Sequence, residues 1–500
     1  MNPVTLKELR QLTRSRTIAG AIIGFFLLQF VVASLAVVAQ TDASGSLDSD
    51  CGEVVFGLLA ALLAPILAFV VPGNIFSRLV SEHGPGRAEL IAATALRPSA
   101  LVDGKIRSGL AMIALFLAGS LPFLLCSYLL GGVDVLFVLS WALAVACCAS
   151  VAVHLSIFLA ALRLPAPTRW ALWALCAIPC VFFALFSVPG YQQLDWDEWE
   201  WLSVMAGLLV TVNLVLRGLA VALVAPPATD RVRPLRLTVL GLWLAWLAVV
   251  LVEALVHPPV VGSAAGNLAA GVAMFASFAG VAVLALAAFD LSSPSGPTRR
   301  VLLERPRSRL RRLLRFPFTT GAESGIAFAL LFLGIGATVV AALARAAFGF
   351  RGTAVPDWIG AVGPSFAAHV LWAYLLAALL LVRAILRIPP LARRNAFRFA
   401  ALFAAALLGL AMLAPNLVAL GRNLDPALSP FNLAGIDFDD FVKPSSTAAA
   451  RWGGNISFHA VWAASALALG LALNAVPFVK SLRRYLSSPS TASTSSTPST

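Results

Sequence analysis

Residues 54–73 read VVFGLLAALLAPILAFVVPG, a run of 20 residues without a charged side chain. An α-helix needs about 20 consecutive apolar residues to cross the hydrocarbon core of a bilayer. A barrel strand would instead alternate apolar and polar residues over about ten positions. The run therefore predicts a membrane-spanning helix.

Similar runs recur along the whole chain of 500 residues, of which 60% are hydrophobic and 12% are charged. A soluble domain carries about 25% charged residues, so this composition cannot cover a water-facing surface. We predict an all-α, polytopic integral membrane protein with about 12 transmembrane helices, because helices satisfy their backbone hydrogen bonds inside lipid. The predicted spans lie near residues 18–40, 54–74, 108–130, 135–160, 170–190, 202–224, 237–256, 267–289, 324–346, 366–385, 399–420 and 459–479.

The basic residues predict the orientation of these spans. Nearly all of the 36 Lys and Arg residues fall into alternate connecting segments, and the segments on the other side hold only Arg351, Arg422, Lys443 and Arg451. Cytoplasmic segments are enriched in Lys and Arg, so both termini are predicted to be cytoplasmic. The same enrichment explains the net charge of +13 without a nucleic-acid partner. Arg217 lies near the inner end of a span, a position that allows its side chain to snorkel to the interface.

The spans and the polar segments between them divide the chain into four regions. They are an N-terminal interfacial helix (1–17), a six-span region (18–230) with a cytoplasmic loop (75–107), a second six-span region of unassigned role (231–480), and a Ser/Thr-rich tail predicted to be disordered (481–500).

The N-terminal segment has the pattern of a helix on the membrane surface. Pro3 suits the first helical position after an N-cap. At about 100° per residue, Leu6, Leu9 and Leu12 share one arc, and basic residues occupy another. This pattern predicts a helix that lies on the inner surface of the membrane with its apolar side down. Its polar positions include Lys7, Glu8, Arg10 and Arg14.

The loop at 75–107 is the other organised polar element. Residues 82–86 (EHGPG) predict a turn. A short helix is expected over about 87–97, and Pro98 suits the first turn of the next helix. Leu90, Ile91 and Thr94 share one face of the short helix, which the loop would present to the cytoplasm.

These two elements resemble ABC-type transporter permeases of the exporter kind. In that family the loop opens with an acidic residue and a glycine, continues with a Glu-Leu-Leu-like core and a Thr-Pro-Leu-like end, and leads through Gly-Lys into the third span. The N-terminal Lys7-Glu8-Leu9-Arg10 is similar to the family's interfacial helix. The matching loop positions are Glu82, Gly86, Glu89, Leu90, Thr94, Leu96, Gly104 and Lys105.

The resemblance implies a function for this loop. The short helix would dock in a groove of a separate ATPase subunit, and the assembly would be a homodimer or a pairing with a related permease. Ala95 replaces the family's proline, and Gly84-Pro85 makes the opening turn unusual. The resemblance covers about 1–230, and the later half shows no second copy of either element. The docking residues it implies are Glu82, Gly86, Glu89, Leu90, Ile91, Thr94, Leu96, Gly104 and Lys105.

The chain lacks the G-x-x-x-x-G-K-[ST] pattern that cradles nucleotide phosphates, so ATP and Mg²⁺ are expected on the partner. No catalytic residue, cofactor or metal site is predicted in this chain. The near-absence of charge within the spans favours export of a hydrophobic or lipid-like substrate over an ion. The resemblance places the protein in the inner (plasma) membrane of a bacterium.

Two other functions remain open. Some membrane glycosyltransferases that use a lipid-linked sugar keep an acidic pair in the first outer loop, and Asp48 and Asp50 have that form. Such carboxylates bind Mg²⁺ or Mn²⁺. A membrane scaffold without transport activity is the third possibility. The Arg-rich segment 299–315 suits either an anionic lipid surface or an acidic protein partner.

Overall fold

The computed structural model describes most of the predicted helices, and the described part is all-helical. The chain forms two compact units, Met1–Pro226 and Pro227–Thr500. The described residues are 3–14, 16–41, 51–82, 97–162, 165–177, 199–225, 232–256, 302, 306–319, 321–347, 446–487 and six single positions between 373 and 384.

The first unit contains helices that follow the predicted interfacial helix and spans. Cys51–Glu82 is one long element in which a π-helical turn (Ile66–Val70) joins α3 to α4. The helices of this unit are α1 (Pro3–Arg14), α2 (Arg16–Ala39), α3 (Cys51–Pro65), α4 (Val71–Glu82), α5 (Pro98–Leu129), α6 (Val135–Ala161), α7 (166–177) and α8 (Trp199–Val224).

The described helices of the second unit differ widely in length, from 7 residues to 41 residues. Its described helices are α9 (Arg233–Val256), α10 (Arg309–Arg315), α11 (Ala322–Ala347) and α12 (Ser446–Leu486), with a 3-10 turn at Phe316–Phe318. The predicted spans near 267–289 and 399–420 lie outside the described residues, as does most of 366–385.

Six described helices are long and apolar enough to cross a membrane, or seven if one sharply bent pair counts as a span. The outward face of α2 supports a lipid environment, because its large apolar side chains are 58–71% exposed. Such a face is unfavourable in water at about 25 cal/mol per Å². The prediction of a membrane-embedded, all-helical protein is therefore confirmed. The side chains concerned are Ile23, Leu27, Phe30, Leu35 and Val38.

The core of the first unit forms where α3 and α4 pack against α5 and α6. Phe56 and Trp141 are fully buried there and meet edge to face, with ring centroids 5.3 Å apart. Edge-to-face pairs gain about 0.5–1.5 kcal/mol beyond the area they bury. This packing holds α3 and α4 as the central element of the unit.

The long element Cys51–Glu82 is longer than the hydrocarbon core of a bilayer is thick. Its 32 residues span about 48 Å at about 1.5 Å per residue, whereas the hydrocarbon core is about 30 Å thick. The π-helical turn follows Pro65, which has no backbone N–H, and a widened turn absorbs that break in the ladder. Helix α5 has the same length. Both helices are therefore long enough to reach beyond the hydrocarbon core.

Gly52 of α3 lies against the turn that joins α5 to α6. A Cβ atom at this position would overlap the backbone oxygens of Ser127 and Gly131. We expect Gly52→Ala to lower the free energy of unfolding by about 1–3 kcal/mol, because backbone atoms cannot move aside as a side chain can. Unfolding of the purified chain in mild detergent measures this loss.

Gly57→Ala is the matched control for this prediction. Gly57 lies in the same helix, and a Cβ atom there meets nothing within 4 Å. Alanine favours a helix over glycine by up to about 1 kcal/mol, so this variant should be as stable as the native chain or more stable. Equal losses in the two variants would contradict the packing described for Gly52.

Candidate functional site

Helix α1 lies directly on the first turns of α5. Gly104 makes this approach possible, since a Cβ atom there would be 2.6 Å from Val4 Cγ1 and 3.3 Å from the Thr5 backbone nitrogen. Val4 and Thr5 are accordingly buried. One turn further along α1, the Glu8 side chain faces Lys105.

Four charged side chains from α1, α4 and α5 meet at this point, and we call them the charge cluster: Glu8, Arg78, Glu82 and Lys105. Lys105 Nζ donates hydrogen bonds to Glu8 Oε1 and to Glu82 Oε1, each at 2.7 Å. Arg78 adds a longer ion pair, 3.7 Å from its guanidinium to Glu8 Oε2. The cluster therefore joins the N-terminal helix to both helices that flank the loop at 83–97.

Lys105 and Glu8 are the two buried members of the charge cluster, and burying their charges costs free energy. The side chains of Lys105 and Glu8 are 3% and 4% exposed, whereas those of Glu82 and Arg78 are each 30% exposed. A buried ion loses its hydration, and only close, charge-assisted hydrogen bonds offset that loss. Two acids and two bases balance each other in charge. The arrangement therefore fixes one geometry for α1, α4 and α5.

The structure brings together several residues that the sequence analysis selected. Glu8, Glu82, Gly104 and Lys105 lie in or against the charge cluster, whereas Lys7 and Arg10 are exposed on α1. For Leu9, the structure describes the helical backbone. The remaining residues of the predicted docking helix lie outside the described residues: Gly86, Glu89, Leu90, Ile91, Thr94 and Leu96.

The position of two selected residues changes their expected role. Lys105 is 2% exposed, and Gly104 is covered by Val4. In this structure both residues contact α1 and are not available to a partner surface. Both residues instead hold α1 against the start of α5.

An ion pair between α5 and α8 was not predicted from the sequence. Arg217 Nε and Nη2 donate to Asp103 Oδ1 and Oδ2 at 2.6 and 2.9 Å. Arg217 thus makes a bidentate contact within the protein, and its side chain remains 40% exposed. The partners are 114 positions apart in the sequence, so no local pattern predicts the pair. Asp103, two positions before Lys105, was the available signal.

The described residues contain no group of three or more His, Cys, Asp or Glu that could hold a metal ion. Asp48 and Asp50, the acidic pair of the glycosyltransferase hypothesis, lie outside the described residues. The fold and the site together define a polytopic α-helical membrane protein. At one end of its first unit, the charge cluster joins α1, α4 and α5. No family model, curated protein or solved structure matches the chain.

Proposed function

We propose that the chain is the membrane-spanning permease subunit of an ABC-type transporter, coupled to a separate ATPase through the loop at 75–107. The observation that carries the proposal is the charge cluster, because it braces both ends of that loop. We further propose that the chain has about 12 spans, that both termini are cytoplasmic, and that it lies in the inner membrane of a bacterium. The substrate class is hydrophobic or lipid-like.

The charge cluster gives the loop a rigid base. Lys105 holds Glu82, the last residue of α4, so the two ends of the loop are tied together. A force applied to residues 83–97 would therefore move α4 and α5 together. If α4 and α5 were not joined at this point, the same force would bend the loop without moving both helices.

Helix α1 is connected to α4 and α5 through the same lysine. Because Glu8 shares Lys105 with Glu82, α1 follows any movement of the loop base. ATP and Mg²⁺ act on the partner subunit, and this chain contributes conformational coupling without covalent catalysis. Two permease halves, from a second copy or a related permease, would enclose the substrate path.

The test is a purification of the full chain from its native membranes in mild detergent, comparing the native chain with Glu89→Lys. Glu89 is chosen because a reversal at Glu82 would also disrupt the charge cluster. The matched control is Asp134→Lys, the same charge change on the exposed turn at the opposite end of α5. The readouts are ATP hydrolysis and the presence of a subunit whose sequence contains a phosphate-binding loop.

We expect such an ATPase with the native chain and with Asp134→Lys, and its loss with Glu89→Lys. Its absence from a folded, monodisperse native sample would overturn the proposal. The next experiment would then be the joint replacement of Asp48 and Asp50, which the glycosyltransferase hypothesis requires for activity.

A further inference from the structure

The short helix α10 of the second unit runs at a steep angle to the helix that follows it. The segment Arg309–Phe318 makes an angle of 89° with the helix Glu323–Ile335 that follows it. Glu323–Ile335 belongs to α11, one of the predicted spans. With α11 upright in a bilayer, a helix at this angle would run along the membrane surface.

The outward face of α10 is apolar. Leu310, Leu313 and Leu314 are 66%, 49% and 64% exposed. At about 100° per residue, the three leucines fall within an arc of about 100°. Arg309 and Arg311 flank this arc, one on each side, and both are exposed. We call this surface, Arg309 to Leu314 without Arg312, the leucine stripe.

The inward face of α10 is anchored to the end of α12. Arg312 is 7% exposed and donates to the carbonyl oxygens of Leu486 and Ser487 at 2.8 and 3.0 Å. It also donates to the carbonyl oxygens of Pro306 and Arg307. The guanidinium therefore caps the C-terminus of α12 and fixes which face of α10 turns outward.

Aromatic packing strengthens this anchor. The ring of Phe316, just after α10, lies 5.6 Å from that of Tyr485 and 6.1 Å from that of Phe478. Ala464–Leu486 is one of the candidate spans. Helix α10 is thus held beside the end of α12, which contains a candidate span, and the start of α11, which is a predicted span.

We propose that the leucine stripe docks on an anionic lipid leaflet, with its leucines among the acyl chains and its arginines on lipid phosphates. The proposal does not depend on the transport function. A helix with an apolar face between flanking basic residues is the pattern of interfacial anchors, and each basic residue near an anionic leaflet strengthens the attraction. An acidic protein would satisfy the arginines but would leave the exposed leucines in water.

The experiment places an environment-sensitive, thiol-linked fluorophore at Leu313→Cys in the full chain. Ser308→Cys is the matched control, since Ser308 is exposed, makes no side-chain capping bond and lies on the opposite side of the helix from the leucines. The native chain, with its 6 cysteines, gives the background labelling. The chain is reconstituted in phosphatidylcholine vesicles and in vesicles of equal parts phosphatidylcholine and phosphatidylglycerol, and quenching by water-soluble acrylamide is measured.

We expect the fluorophore at 313, but not at 308, to be protected from acrylamide in the vesicles that contain phosphatidylglycerol. The double variant Arg309→Gln, Arg311→Gln should shift the ratio of docked to undocked helix by about 30-fold, since each basic residue near an anionic leaflet contributes about fivefold. Both arginines are exposed, so this variant leaves the anchor at Arg312 intact.

Two results would overturn the proposal. Equal quenching at 313 and 308 in the anionic vesicles would mean that the leucines face water. Protection at 313 that is the same in both kinds of vesicle, and unchanged by the double variant, would mean that neither anionic lipid nor the two arginines contribute to docking.

Discussion

Replacing Lys105 with alanine is expected to release helix α1 from α5 and to lower the free energy of unfolding by about 3–5 kcal/mol, the usual cost of removing one partner from a buried ion pair. The Glu8 carboxylate, 4% exposed, would lose its closest cation and stay away from water. Thermal unfolding in mild detergent measures the loss. Limited trypsin cleavage at the exposed Lys7 and Arg10 reports the release of α1.

Two further variants test this interpretation. Lys7→Ala removes the same residue type from an exposed position of α1 and should change stability by less than about 0.5 kcal/mol. Glu8→Gln combined with Lys105→Met removes both charges of the buried pair and should be less damaging than Lys105→Ala alone, because no uncompensated ion remains. A double variant that is worse than Lys105→Ala would show that packing, and not charge, dominates at this site.

Replacing Arg236 with alanine is expected to destabilise the second unit by about 3–5 kcal/mol, since each buried acceptor that loses its donor costs about 1–3 kcal/mol. Arg236 is fully buried. Its Nη1 donates to the carbonyl oxygens of Pro317 and Thr319 at 2.8 and 2.6 Å, and to Ser324 Oγ at 3.2 Å. The side chain thereby joins α9 to the bend between α10 and α11.

Thermal unfolding and protease cleavage within 306–321 measure this effect. Arg233→Ala, an exposed arginine one turn earlier in α9, is the matched control and should be nearly neutral. Arg236→Lys should fall between the two, because an ammonium keeps the charge but not the planar fork of donors. Equal stability of Arg236→Ala and Arg233→Ala would contradict the role given to Arg236.

The start of α5 shows what sequence could predict. Pro98 was expected in the first turn of the helix that leads into the third span, and α5 begins at Pro98 with Arg97 in an extended conformation before it. Proline at the first helical position is a local signal. The contact of Lys105 with Glu8, by contrast, joins residues 97 positions apart, and no local pattern encodes such a pairing.

The length of α12 shows a second limit. Hydropathy predicted a span near 459–479, whereas the helix runs from Ser446 to Leu486, 41 residues. A sliding average of hydropathy detects only the part of a helix whose residues are hydrophobic enough for the membrane interior. The flank 446–458 includes Gly453, Gly454 and Asn455, which disfavour a helix, so local propensity does not predict this extension either.

The burial of Lys105 and Glu8 also determines how α1 responds to ionic strength. Mobile ions weaken interactions between exposed charges, with a Debye length of about 3 Å at about 1 M salt, but they screen buried pairs much less. The 2.7 Å contact between these side chains therefore persists in concentrated salt. High-salt washing of membranes would remove proteins held by surface charge and leave α1 seated on α5.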